Sequence, residues 1–184
     1  TEILLTLMWY ALNRHLSNPQ VKTAIDKMFG EDQWTNQPFM KQKGREREDS
    51  FINYFLAQLK AKYKLTFRIR FSPEDNVPPE ARRTKYYLVH LANHIKAALL
   101  MKEVMWPLGD ELGTFDYSAT AQRVLFSKTP TVADLKDRLK SEIAGQSLTF
   151  DELRERTWDW PYMEKHYREA VKSMEKEGTV TIRR

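Results

Sequence analysis

The sequence contains no cysteine. That absence removes disulfide frameworks, thiolate metal sites and cysteine nucleophiles. Glycine is scarce, with six in the chain, and none falls in a Gly-x-Gly-x-x-Gly turn or a phosphate-cradling loop. A nucleotide-triphosphatase reading therefore has no support, and no Ser-His-Asp order favours a hydrolase. No apolar run approaches the roughly 20 residues that a membrane helix requires, and mean hydropathy is −0.64. Nothing at the N-terminus has the layout of a signal peptide, so a cytoplasmic location is expected. The chain also lacks an initiator methionine, and with the apolar run that follows this suggests the C-terminal portion of a longer polypeptide.

What is present is ordinary globular chemistry. The chain has 184 residues, of which 41% are hydrophobic and 30% charged. That length suits one domain, or one domain plus a small module. The formal net charge of +5 is unevenly spread. Residues 129 to 184 hold 11 basic and 11 acidic groups, so the whole excess lies in residues 1 to 128. Lys60, Lys62, Lys64, Arg68, Arg70, Arg82, Arg83 and Lys85 crowd one segment, opposed by Glu74, Asp75 and Glu80. Such a segment could meet a polyanion, or could equally be a solvated strand face and loop.

The run Ile3 to Trp9 reads as a strand buried on both faces, of the kind found inside a parallel sheet; a short buried helix is the alternative. Asn18 before Pro19 suits a helix start, and Gly30 suits its end. Phe51, Ile52, Phe55, Leu56 and Leu59 predict an amphipathic helix running to about Lys62. Residues 65 to 71 alternate strictly and predict a half-buried strand. Residues 86 to 91 predict a second, antiparallel to it across a long loop from Ser72 to Thr84. Asn93 is the expected cap of a helix whose apolar positions are Ile95, Leu99, Val104 and Met105.

A domain boundary is expected in the irregular stretch 107 to 128, dividing residues 1–128 from 129–184. Beyond it, three helices are predicted. Val132, Leu135, Leu139 and Ile143 mark the first, and Thr149 with Glu152 forms a capping box for the second. Met163, Tyr167, Ala170, Val171 and Met174 mark the third. Val180 and Ile182 then alternate as a closing strand. Three helices and a β ribbon in this span are the plan of a winged helix-turn-helix, whose third helix is the recognition helix. Lys165, Arg168, Lys172 and Lys176 lie opposite its core face, with Arg183 and Arg184 in the wing position; together they are candidate contacts to nucleic acid. Glu164, Glu169, Glu175 and Glu177 share that helix, so a solvated, ion-paired surface or a protein-docking face remains an equal alternative.

Specific stretches carry a resemblance to a known family. Glu2 to Trp9 with Asn13 and Arg14, then Phe29-Gly30, Lys85 to His94 and Met101 to Trp106, are similar to the three-Cys-motif partner family, TcmP. Residues 129 to 184 look like the winged-helix domain often appended to it. The resemblance implies an α/β fold: the C-terminal part of a Rossmann-like methyltransferase sheet, followed by a small winged helix-turn-helix domain. It implies an S-adenosylmethionine-dependent, methyltransferase-like protein acting on or near nucleic acid, whose glycine-rich cofactor turn and acidic ribose-binding residue would precede Thr1. It also implies a three-cysteine, radical-SAM-like partner protein. On this reading S-adenosylmethionine is held by the missing N-terminal half and not by this segment alone. The alternative is a non-enzymatic binding or assembly module that docks the three-cysteine partner or DNA.

In open α/β sheets ligands sit at the carboxyl ends of the parallel strands. On that basis Trp9, Tyr10, Asn13, Arg14, Arg82 and Arg83 become the substrate-side candidates, aromatic rings beside Asn and Arg being suited to a base and its phosphate. Trp9 and Tyr10 as core residues are the alternative. His90 and His94 have the spacing of a helical metal pair. His90 belongs to the predicted strand, however, so that geometry fails and no metal site is expected.

Overall fold

A computed structural model describes residues 2–72, 83–105, 114–118 and 131–182. The N-terminal elements are β1 (Glu2–Leu7), α1 (Trp9–His15), α2 (Lys22–Phe29), α3 (Gly44–Gln58), β2 (Tyr63–Ser72) and β3 (Arg83–Ala92). They are followed by α4 (Ile95–Met105), β4 (Thr114–Ser118), α5 (Val132–Ile143), α6 (Phe150–Arg156) and α7 (Glu164–Lys176). The chain forms two compact units. One comprises Thr1–Asn93 and Asp116–Ala121; the other comprises His94–Phe115 and Gln122–Arg184. The expected boundary at 128/129 lies outside the described residues, as do Arg82, Arg183, Arg184 and most of the Ser72 to Thr84 loop.

In the first unit the strand order is β1-β3-β2-β4. β3 pairs antiparallel with β2, as the two alternating runs predict, and antiparallel with β1 on its other side. β1 and β2 therefore point the same way without being neighbours. The expected place of this run inside a parallel sheet is not seen among the described residues. β1 stands at the end of the strand order, with Ile3 47% and Leu4 55% exposed and only Leu7 buried. A run that is apolar on both faces fixes strand geometry but not position within a sheet. The strand order is that of a small antiparallel sheet; a Rossmann-like sheet is not seen among the described residues.

Between β1 and β2 the chain crosses through α1, α2, two 3-10 turns and α3. Asn18 caps the 3-10 turn Pro19–Val21, its side chain accepting from the Gln20 amide, and α2 begins directly after. Gly30 ends α2 at φ 75°, the left-handed conformation that glycine adopts without a side-chain penalty. The core gathers around Phe51, which is fully buried. Trp9, Phe29 and Phe39 place their ring centroids 5.0, 5.6 and 5.2 Å from it, within the range of favourable tilted and edge contacts. Trp34 is also buried, and its indole N–H donates to Asp26 at 2.7 Å, which satisfies its only polar atom.

One side chain links α3 to the sheet. Glu48 precedes Phe51, Ile52 and Phe55 on the buried stripe of α3. Its Oε1 accepts from the hydroxyls of Thr84 and Tyr87, both at 2.5 Å, and lies 3.2 Å from the Arg68 guanidinium. Arg68 Nε also donates to the Thr84 hydroxyl at 2.6 Å. A register shift between Ile69 and Arg70 moves the pairing from Tyr86 to Thr84 and passes over Lys85. Burial and the neighbouring Glu48 push the Tyr87 hydroxyl above the ordinary tyrosine range, so it stays a donor.

The second unit has its own core of Leu135, Leu139, Leu153, Trp160, Tyr162, Tyr167, Ala170 and Met174. The apolar spacings of the three predicted helices are met by α5, α6 and α7. Thr149 and Glu152 form the expected capping box, and Thr131 with Asp134 forms another. Two expectations are corrected. Asn93 does not cap α4: its side chain accepts from the Lys62 amide, and the Lys96 amide donates to His94 Nδ1. Val180 and Ile182 form no strand; residues 179 to 182 are irregular.

Replacing Glu48 by alanine leaves a half-buried guanidinium and two buried hydroxyls without this acceptor. Urea denaturation of Glu48→Ala is expected to show a loss of about 3–5 kcal/mol, and a loss under about 1 kcal/mol would mean that the cluster is not coupled to folding.

Candidate nucleic-acid interface

α6, the segment 157 to 163 and α7 make a helix-turn-helix arrangement. The segment between the helices is fixed from several sides. The Thr157 hydroxyl donates to the Leu153 carbonyl, and the Tyr167 hydroxyl donates to the Thr157 carbonyl at 3.1 Å. Arg138 of α5 stacks over the Trp160 ring at 3.9 Å. The Met163 amide donates to His166 Nδ1 at 3.2 Å, which requires that nitrogen to be unprotonated. Burial holds His166 below its ordinary range, consistent with a neutral ring.

A further hold comes from α4. Lys102 is buried, and its ammonium donates to the carbonyls of Trp158 and Trp160. It borders a cavity of about 10 Å³ lined by Leu99, Arg154, Thr157 and Glu164, among others. The buried stripe of α4 is Ala98, Lys102 and Met105. The expected apolar position Val104 is instead 55% exposed. A lysine on an apolar stripe at i, i+4, i+7 is the signal that sequence reasoning passed over. Glu48 on α3 is another such case.

α7 buries Tyr167, Ala170 and Met174. Lys165, Lys172 and Lys176 are exposed on the opposite side, with no ion pair to them among the described residues. Their spacing of seven and four places them in one stripe along the helix. Arg168 is exposed as well but is occupied by Glu164 of the same helix, at 2.6 Å. Glu177 is taken up by α5, through Lys136 and by Lys140 at 3.9 Å. Glu164 and Glu177, at the start and just past the end of α7, are thus engaged, while the exposed Glu169 shares the face of the three lysines.

The substrate-side candidates divide. Tyr10, Asn13 and Arg14 share an exposed face of α1, with the Arg14 guanidinium 5.7 Å from the Tyr10 ring. Trp9 is placed elsewhere: it is buried against Phe51 in the core. Arg83 is exposed at the start of β3. In the basic segment, Lys64 donates to the Leu56 carbonyl at 2.7 Å and Arg68 serves Glu48, so part of that charge is spent inside the unit. His90 lies in β3 with Nε2 3.3 Å from a Glu2 carboxylate oxygen, and His94 stands before α4. Among the described residues no group of three or more His, Asp or Glu could hold a metal ion. No helix there is long and apolar enough to cross a membrane.

S-adenosylmethionine is expected to lie outside this segment, and no described residue is assigned to it. At the carboxyl end of β1, Leu7 and Trp9 are buried in the core, and Met8 is the only residue between β1 and α1. The first unit's described glycines, Gly30 and Gly44, stand at the end of α2 and the start of α3 and not in a strand-to-helix turn. No reaction step is therefore derived through that cofactor.

Residues 111–184 match a family model described as a GMT-like wHTH domain, wHTH being winged helix-turn-helix. The match takes in β4, α5, α6 and α7. Neither the curated proteins nor the solved structures give a match to the chain. Winged helix-turn-helix modules commonly bind nucleic acid, and the match suggests such binding for this module.

Burial lowers Lys102 from its ordinary 10.5 to about 8. Between those values the unfolded chain binds more protons than the folded one, so stability rises with pH and the penalty is complete below about 8. Lys102→Met removes this titration. Denaturation from pH 7.5 to 10.5 should show the native chain gaining up to about 3 kcal/mol relative to the variant. A constant difference between the two would mean that Lys102 is not held in a buried environment.

Proposed function

We propose that this chain binds nucleic acid through α7 and belongs to a larger, methyltransferase-like assembly. The observation that carries the binding reading is the stripe of Lys165, Lys172 and Lys176, exposed and opposite the core face. Arg183 and Arg184, expected in the wing position, would add basic contacts of their own. The neutral overall charge of residues 129 to 184 fits a module that positions a substrate rather than one that captures DNA tightly by itself.

The second part of the proposal concerns the first unit. β1 and β2 point the same way, are linked by a helical crossover, and flank the antiparallel β3. That arrangement supports the reading of residues 1–128 as the C-terminal portion of a TcmP-like, methyltransferase-like domain. S-adenosylmethionine would then be held by a preceding half of the same polypeptide. Tyr10, Asn13, Arg14, Arg82 and Arg83 would lie on the substrate side. The alternative is a non-enzymatic module that docks a three-cysteine, radical-SAM-like protein or DNA. Titration of the natural full-length polypeptide with S-adenosylmethionine separates the two: micromolar binding supports the enzyme, and no binding supports the docking module.

The binding reading is tested by fluorescence anisotropy with a mixed-sequence duplex of about 20 base pairs. Lys165→Gln, Lys172→Gln and Lys176→Gln combined should weaken binding at least tenfold at low salt. The salt slope should fall by up to about 3, one for each phosphate that is no longer neutralised. Unchanged binding by the triple variant would move the interface away from α7.

A further inference from the structure

Two guanidinium groups converge on one carboxylate at the start of α7. Glu164 Oε1 accepts from Arg168 Nε at 2.9 Å and Nη2 at 2.6 Å. Its other oxygen lies 3.5 Å from Arg154 Nη1 on α6. Arg154 Nη1 also lies 3.3 Å from Asp151. The Arg168 guanidinium lies over the Phe150 ring at 4.8 Å. Arg168 is therefore held back along its own helix and against α6, although its side chain is 61% exposed.

Arginine presents a planar fork that fits a carboxylate, a phosphate or a guanine edge equally well. An exposed pair four residues apart on a helix is weak and exchanges readily. An incoming phosphate can thus take the place that the carboxylate occupies. From these contacts we infer that Glu164 gates Arg168: it withholds the guanidinium from duplex DNA until a DNA oxygen replaces its own. Glu164 is a positioning residue on this account, acting through Arg168, while the three lysines supply the ungated contacts. The inference rests on the reading of α7 as the nucleic-acid face.

The test is a double-mutant cycle in the full chain, using the mixed-sequence duplex and a salt series. Glu164→Gln keeps a side chain of the same shape without the charge that retains Arg168. It should tighten binding roughly threefold to tenfold and steepen the salt slope by about 0.9, the value for one additional neutralised phosphate. Arg168→Gln in the same background should cancel the gain. Glu164→Asp, with a shorter reach, should fall between. Thermal melting of each variant checks that the helices persist. Persistence of the full gain without Arg168 would mean that only charge repulsion was relieved, and would overturn the gate. No gain from Glu164→Gln, in a chain whose binding depends on the lysines, would overturn the gate alone. Absence of binding by every form would overturn both the gate and the α7 reading.

Discussion

In the first unit the constraint on which the rest depends is that β1 and β2 both take their ladders from β3. Neither pairs with the other, so β3 must satisfy two sets of backbone groups while presenting Tyr87, Val89 and Leu91 to the core. The helical crossover can close over that face only if the sheet and α3 agree in position. Glu48 enforces the agreement, because its carboxylate needs groups from both β2 and β3 at once. The aromatic cluster around Phe51, one helical turn further along α3, packs where that anchor places it. A buried carboxylate is a costly way to join two layers, and its value lies in tolerating no other register.

The second unit solves a comparable problem with the opposite charge. A lysine on α4 reaches two backbone carbonyls of the segment between α6 and α7. The Trp160 carbonyl also accepts from the Tyr162 amide, and a buried carbonyl left without a donor would be expensive. Lys102 supplies the donors and so sets the direction in which α7 begins. The lysine stripe on α7 is an outcome of that geometry as much as of its own sequence. In each unit a charged side chain sits on an otherwise apolar helical stripe, and in each it spends its charge on a neighbouring element.

How much of this was legible in the sequence follows from which patterns are local. The capping box at Thr149 and Glu152, the left-handed Gly30 and the alternation of residues 65 to 71 concern neighbours along the chain, and they were readable. The spacing of Met163, Tyr167, Ala170 and Met174 gave α7 and its lysine face for the same reason. What was not legible is position among partners. An apolar run such as β1 looks alike in the middle and at the end of a sheet. Trp9 looks alike as a ligand platform and as a core ring, and only the packing against Phe51 places it. Glu48 and Lys102 were hidden because charged residues are by default assigned to the solvent side of a helix, although each interrupts an apolar repeat at the right phase.

The irregularity between Ile69 and Arg70 has a consequence for how β3 is to be read. Thr84 and Tyr87 are three residues apart, and in an uninterrupted strand they would face opposite sides. Both hydroxyls nevertheless reach the same oxygen of Glu48. The passed-over Lys85 resets the alternation by one residue, so the strand is two short phases joined end to end. A chain one residue shorter at this position would bring the same two hydroxyls to one face with a regular ladder.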